Sequence, residues 1–109
     1  MIFNATILAI ATPTGSVGGE RTYSTEVVAI RCSMAQPTRR QRIEFGSLIA
    51  DATAVIRIPA QALGLVEVIA GMRLSVKLDG RTARSMDVLK ATDTVKRGLN
   101  HAAIFASEI

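Results

Sequence analysis

Apolar and polar residues alternate with a period of two through residues 71–78. Met72, Leu74, Val76 and Leu78 share one face, and Arg73, Ser75 and Lys77 share the other. The alternation resumes in Ser85-Met86-Asp87-Val88-Leu89-Lys90, and Asp79-Gly80 lies between the two runs. This spacing predicts a β-hairpin. A type I′ turn needs positive φ at both central residues, which Asp and Gly tolerate. Residues 23–34 predict a long strand, with Val28, Ile30, Cys32 and Met34 on one face and Val27, Ala29, Arg31 and Ser33 on the other. Its β-branched middle suits a pleated, half-buried surface.

Residues 5–12 read as a first strand. Residues 13–19, Pro-Thr-Gly-Ser-Val-Gly-Gly, read as a loop rich in turn formers. Those glycines fit neither a P-loop nor a dinucleotide fingerprint. Residues 53–58 form a compact β run stopped by Pro59, which cannot donate to a ladder. A helical turn is expected over residues 60–65, a lead into the central hairpin over 66–69, a polar stretch over 92–100, and a closing strand over 101–108. Residues 35–47 hold Pro37, three arginines within four positions, and Gly46. Thr38 suits a cap for a short helix, but without a sustained 3.6 period the stretch reads as a loop of about 12–15 residues, a length usually tied to function or disorder. Short strands with turns between them predict an all-β fold: a small closed or partly open β-barrel of about six to seven antiparallel strands, with long inter-strand loops, in one domain over residues 1–109.

Composition sharpens this picture. The chain has 109 residues, 49% of them hydrophobic, yet only 4% are aromatic and 16 are alanine. Alanine buries little area, so either a core of this kind draws stability from assembly with neighbours or the chain is an ordinary small barrel with an alanine-rich surface. The net charge is +4, with ten arginines against three lysines. A basic balance favours anionic partners, although an excess this small is also explained by solubility, and guanidinium forks suit phosphate or carboxylate. Cys32 is the only cysteine, which excludes an intrachain disulfide. No apolar run is long enough for a membrane span. Residues 1–12 are apolar enough to resemble a leader peptide, but they lack a positive start and alternate as a strand does.

Chemistry is sparse. His101 is the only histidine, and nucleophilic catalysis would need it beside an activated Ser or Cys and an orienting acid. Cys32 sits mid-strand, where a free cysteine acts as a small hydrophobe. One His and one Cys are too few soft ligands for a zinc site. Asp79 and Asp93 read as turn residues. The chain is expected to be no enzyme and to use no cofactor or metal. Phe3, Tyr23, Phe45 and Phe105 are too scattered to form a base-stacking platform. Arg39, Arg40 and Arg42 still suit contact with DNA phosphate, which requires only charge.

Several phrases resemble the small head–tail joining proteins of tailed bacteriophages, of the head-closure or stopper type. One is the strand entering a proline, Ala54-Val55-Ile56-Arg57-Ile58-Pro59. A second is the Gly-x-x-Leu-x-Val-x-x-Asp-Gly phrase of residues 71–80, followed by Met86-Asp87-Val88. A third is Gly98-Leu99-Asn100-His101, leading into the closing strand. Gly15 and the long strand over 26–33 also fit. Arg81-Thr82-Ala83-Arg84 stands where such proteins often carry an aromatic.

The resemblance implies a barrel protomer in a ring of six or twelve copies below the portal or adaptor protein. That ring would sit in the neck of a virion assembled in the host cytoplasm, with a tail terminator or tail tube protein on its other side and no membrane. Double-stranded DNA would pass through the lumen without sequence-specific contact. The segment 36–47 would reach into the channel and gate it, and Arg39, Arg40 and Arg42 would face DNA. The alternatives are a tail-terminator or adaptor protein of the same neck, or a small basic β-barrel module that binds nucleic acid in the cell.

Overall fold

The computed structural model describes residues 3–59, 68, 70–92 and 101–109. Along the chain run β1 (Ala5–Val17), β2 (Glu20–Ala35), α1 (Arg39–Phe45), a 3-10 turn (Gly46–Ile49), β3 (Ala54–Pro59), β4 (Arg73–Leu78), β5 (Arg84–Thr92) and β6 (His101–Glu108). The six strands close into a barrel in the order β1-β2-β3-β6-β5-β4, and every neighbouring pair is antiparallel. Closure hides the sheet edges that a small open sheet would expose. The expected all-β barrel is the fold of the chain, and the closing strand has the bounds the alternation predicted. The helical turn expected over 60–65 and most of the polar stretch over 92–100 lie outside the described residues.

The interior is filled by the inward sets of the strands: Ala5, Ile7 and Ile10 from β1, Ile30 and Cys32 from β2, Ala54, Ile56 and Ile58 from β3, Leu74 and Val76 from β4, Met86 and Val88 from β5, Ile104 and Ala106 from β6. Cys32 is wholly buried, and burial pushes its thiol up to about 11. A second cluster lies on the outside of the barrel. Val55, Ala103 and Phe105 turn outward from β3 and β6 and pack with Ile49 and Ala52, with Phe45 and Leu89 at the margin. β3 and β6 are thus covered on both faces. This accounts for their near-continuous apolar runs, where a half-exposed strand would alternate.

Two β-bulges reset the alternation. The register between β5 and β6 shifts between Val88 and Lys90. Leu89 and Lys90 consequently both face outward, and Ala91 returns to the interior cluster. A shift between Ile7 and Ala9 in β1 moves the inward set from Ala5 and Ile7 to Ile10. One extra residue reverses every later side chain in a strand.

Three local expectations are corrected. Residues 13–19 are no loop: β1 continues to Val17, and the reversal is the two-residue turn Gly18-Gly19. Both glycines have positive φ, 60° and 86°, which the type I′ geometry demands and other residues resist. The irregularity at Pro13 to Gly15 is absorbed within the pairing. Asp79-Gly80 is not a two-residue type I′ turn, because only Gly80 has positive φ. The Arg81 N–H donates to the Leu78 carbonyl, so the turn has the φ signs of type II, and β5 starts only at Arg84. Finally, residues 36–47 are not a structureless loop. They contain α1 and the first half of the 3-10 turn.

Candidate functional site: a basic helix and an exposed ribbon

α1 is fixed by local chemistry despite its 7 residues. The Gln41 N–H donates to Thr38 Oγ1 at 3.2 Å, and the Thr38 N–H donates to Gln41 Oε1 at 2.8 Å. This reciprocal capping box satisfies two amides that a helix start leaves open. At the far end, Phe45 sits on Phe105 with ring centroids 5.1 Å apart and tilted by 57°. The Lys90 ammonium lies 5.3 Å from the centre of the Phe45 ring. The helix is clasped to the outer face of β6 and β5, and none of its residues is fully buried.

The three arginines singled out from the sequence divide here. Arg42 donates to the Ala52 carbonyl at 3.3 Å, which ties α1 to the segment before β3. Arg39 and Arg40 are exposed in the first helical turn and have no carboxylate partner among the described residues. Ile43, 74% exposed, lies one turn on and beside them, since positions three and four apart are neighbours on a helix. The arginines work against helix stability where they stand. The helix start carries partial positive charge, so cations are favoured at the other end.

Three other arginines are occupied by carboxylates. Arg31 forks onto Asp79, with Nη1 to Oδ1 at 2.6 Å and Nη2 to Oδ2 at 2.8 Å, and also donates to Thr6 Oγ1 and the Phe3 carbonyl. That bond holds the Asp79 carboxyl below its usual range. Asp79 therefore owes its place to a guanidinium as well as to the turn. Arg84 meets Glu108 at 3.2 Å. Arg73 meets Asp87 at 2.9 Å and covers the Tyr23 ring at 4.7 Å. Arg73, Asp87 and Tyr23, with Arg21, line an open groove of about 330 Å³ between the β1–β2 hairpin and the β4–β5 pair.

That hairpin is the feature sequence reasoning missed. β1 pairs with β4 only as far as Ala11, and β2 pairs with β3 only at residues 33–35. Residues 12–17 and their partners on β2 therefore form a two-stranded ribbon that continues past the barrel wall for about 20 Å at 3.3 Å per residue. It exposes Val17 (72%), and Val27 (85%) stands at its base. The glycine and proline content of residues 13–19 masked it. The readable clue was Gly18-Gly19, a turn dipeptide between two β-prone runs.

Among the described residues no group of His, Cys, Asp and Glu could hold a metal ion. Cys32 faces the interior. The side chain of His101 lies outside the description, although its backbone pairs with Pro59. No described helix is long and apolar enough to cross a membrane. Comparison of the chain with protein-family models, curated proteins and solved structures returns no match.

Proposed function

We propose that this chain is a structural subunit of the head-to-tail connector of a tailed phage, of the head-closure type. It forms a ring below the portal or adaptor, narrows the DNA channel, helps retain the packaged genome and offers the tail its attachment face. The observation that carries this reading is the pair Arg39–Arg40, exposed and without a carboxylate partner among the described residues, on a helix that is capped at one end and clasped at the other. Repeated around a ring, the pair makes a basic collar suited to DNA phosphate at any sequence. The gating element would then be a fixed helix rather than a mobile loop. Opening the channel would call for release of the Phe45–Phe105 contact or rotation of whole protomers. The alternative within the same neck is an adaptor or tail terminator.

The test is cryo-electron microscopy of the source particle. The expected result is a ring of these barrels between portal and tail; a neck without such density overturns the reading. The same two arginines favour a second reading, a basic module that binds nucleic acid as a free protomer. A filter-binding titration separates the two. Micromolar affinity with a steep salt slope supports the module, and negligible binding by the free protomer counts against it.

A further inference from the structure

We propose that neighbouring copies join edge to edge through the β1–β2 ribbon. The outer edge of β2 (residues 20–26) in one copy pairs antiparallel with the outer edge of β1 (residues 12–17) in the next. The inference rests on the ring reading and adds the contact that builds the ring.

Both edges are without a strand partner among the described residues, as the pairing limits at Ala11 and at residues 33–35 require. Residues 12–21 and 24–27 are all exposed. A sheet edge of this length invites pairing with another chain unless it is blunted. Along residues 20–26, β2 carries no proline and no lysine, and the register irregularity opposite Thr22 and Tyr23 comes from the extra residue Thr14 on β1.

Direction favours a second copy as the occupant. β1 and β2 are antiparallel, so copies related by rotation about one axis bring β2 beside the next β1 in antiparallel sense. This contact uses two different surfaces and closes by rotation, as a ring requires. Charge favours the same partner. The β1 edge, Thr-Pro-Thr-Gly-Ser-Val, is neutral, while the β2 edge carries Glu20, Arg21 and Glu26. No like charges meet. Two β2 edges facing each other about Tyr23 would instead set Glu20 against Glu26, and directly opposed like charges destabilise a sheet.

The hydrogen-bond pattern names the atoms. Val17 and Glu20 flank the two-residue turn and form its closing hydrogen-bonded pair. Alternation from there turns the N–H groups of Arg21, Tyr23 and Thr25 outward, away from β1. Pro13, opposite Tyr23, occupies an outward position on the other edge, so the neighbouring β2 meets one missing donor there while the Pro13 carbonyl still accepts.

The experiment uses the full chain. Native mass spectrometry is run across a concentration series, with hydrogen exchange of the Arg21, Tyr23 and Thr25 amides measured in the same samples. Assembly that slows exchange at those three amides is the expected result. Thr25→Pro should weaken assembly roughly tenfold, the loss of one main-chain hydrogen bond, with the monomer's melting temperature unchanged. The exchange measurement needs no substitution, so it decides the matter even if Thr25→Pro misfolds. An oligomer whose three amides exchange as fast as in the monomer overturns edge pairing and leaves the ring. A chain that stays monomeric to its solubility limit also overturns edge pairing, while the connector reading is decided separately by density in the particle.

Discussion

Replacing Phe105 with alanine tests the joint between barrel and helix. Phe105 is 1% exposed and packs with Val55, Ala103, Ile49 and Ala52 beneath Phe45. Truncating a buried phenylalanine costs about 3–5 kcal/mol, less where neighbours can settle into the space. Phe45 is only partly buried and can follow the lost ring inward, so the lower end, about 3 kcal/mol, is expected. Unfolding entropy of about 2.1 cal/mol/K per residue over 109 residues gives about 0.23 kcal/mol/K. The melting temperature should therefore fall by about 13 °C, read by calorimetry or thermal circular dichroism. A cycle with Phe45→Ala isolates the ring pair, with an expected coupling of about 0.5–1.5 kcal/mol. The Arg42 amide, which donates to the Thr38 carbonyl, should lose hydrogen-exchange protection in either variant. A Phe105→Ala protein that melts within about 4 °C of the parent, a shift worth about 1 kcal/mol, would refute the view that this cluster holds the helix.

Three further outcomes are expected. The Cys32 thiol is raised from 9.0 to about 11, so its contribution is complete below the unfolded value and is lost as pH rises toward the folded one. Stability should decline by up to about 2–3 kcal/mol across that window, and Cys32→Ala should flatten this limb in urea titrations run at each pH. Thr38→Ala removes one half of the capping box and should cost about 1 kcal/mol, with the loss of amide protection confined to the first turn of α1. The Asp79 carboxyl is held low chiefly by its bond to Arg31. The stabilisation it gives is present above the ordinary carboxylate range and fades as pH falls below it. Asp79→Asn should make the acid limb of the stability curve shallower, and an unchanged limb would dismiss the ion pair as a contributor.

The barrel strands were legible because β2 and β4 alternate cleanly and β3 and β6 read as short apolar runs. Ile30 and Cys32 face inward and Val27 outward, as period two requires, and the apolar run of residues 54–58 matches a strand covered on both faces. Three elements were not legible, each for a physical reason. α1 spans two turns, too short for a 3.6 period to register, and its one strong signature is the Thr38-to-Gln41 spacing of the capping box. The ribbon has no core to face, so nothing in its pattern distinguishes it from a loop. The bulges at Leu8 and Leu89 are invisible because a register shift depends on the partner strand. The division among Arg39, Arg40 and Arg42 followed from the helix, since only a helical turn points Arg42 back at Ala52.

The extra residue in β5 lets one strand serve two masters. Ahead of it, Met86 and Val88 fill the barrel; at it, Leu89 and Lys90 both turn to the clasp, one against the outer cluster and one over Phe45. The bulge works like a phase change in a wave: if the same residues ran in straight register, Lys90 would swing toward the oil and Ala91 would be left in water. A chain one residue shorter here would keep its interior set in phase and lose only one of the two outward contacts, Leu89 or Lys90.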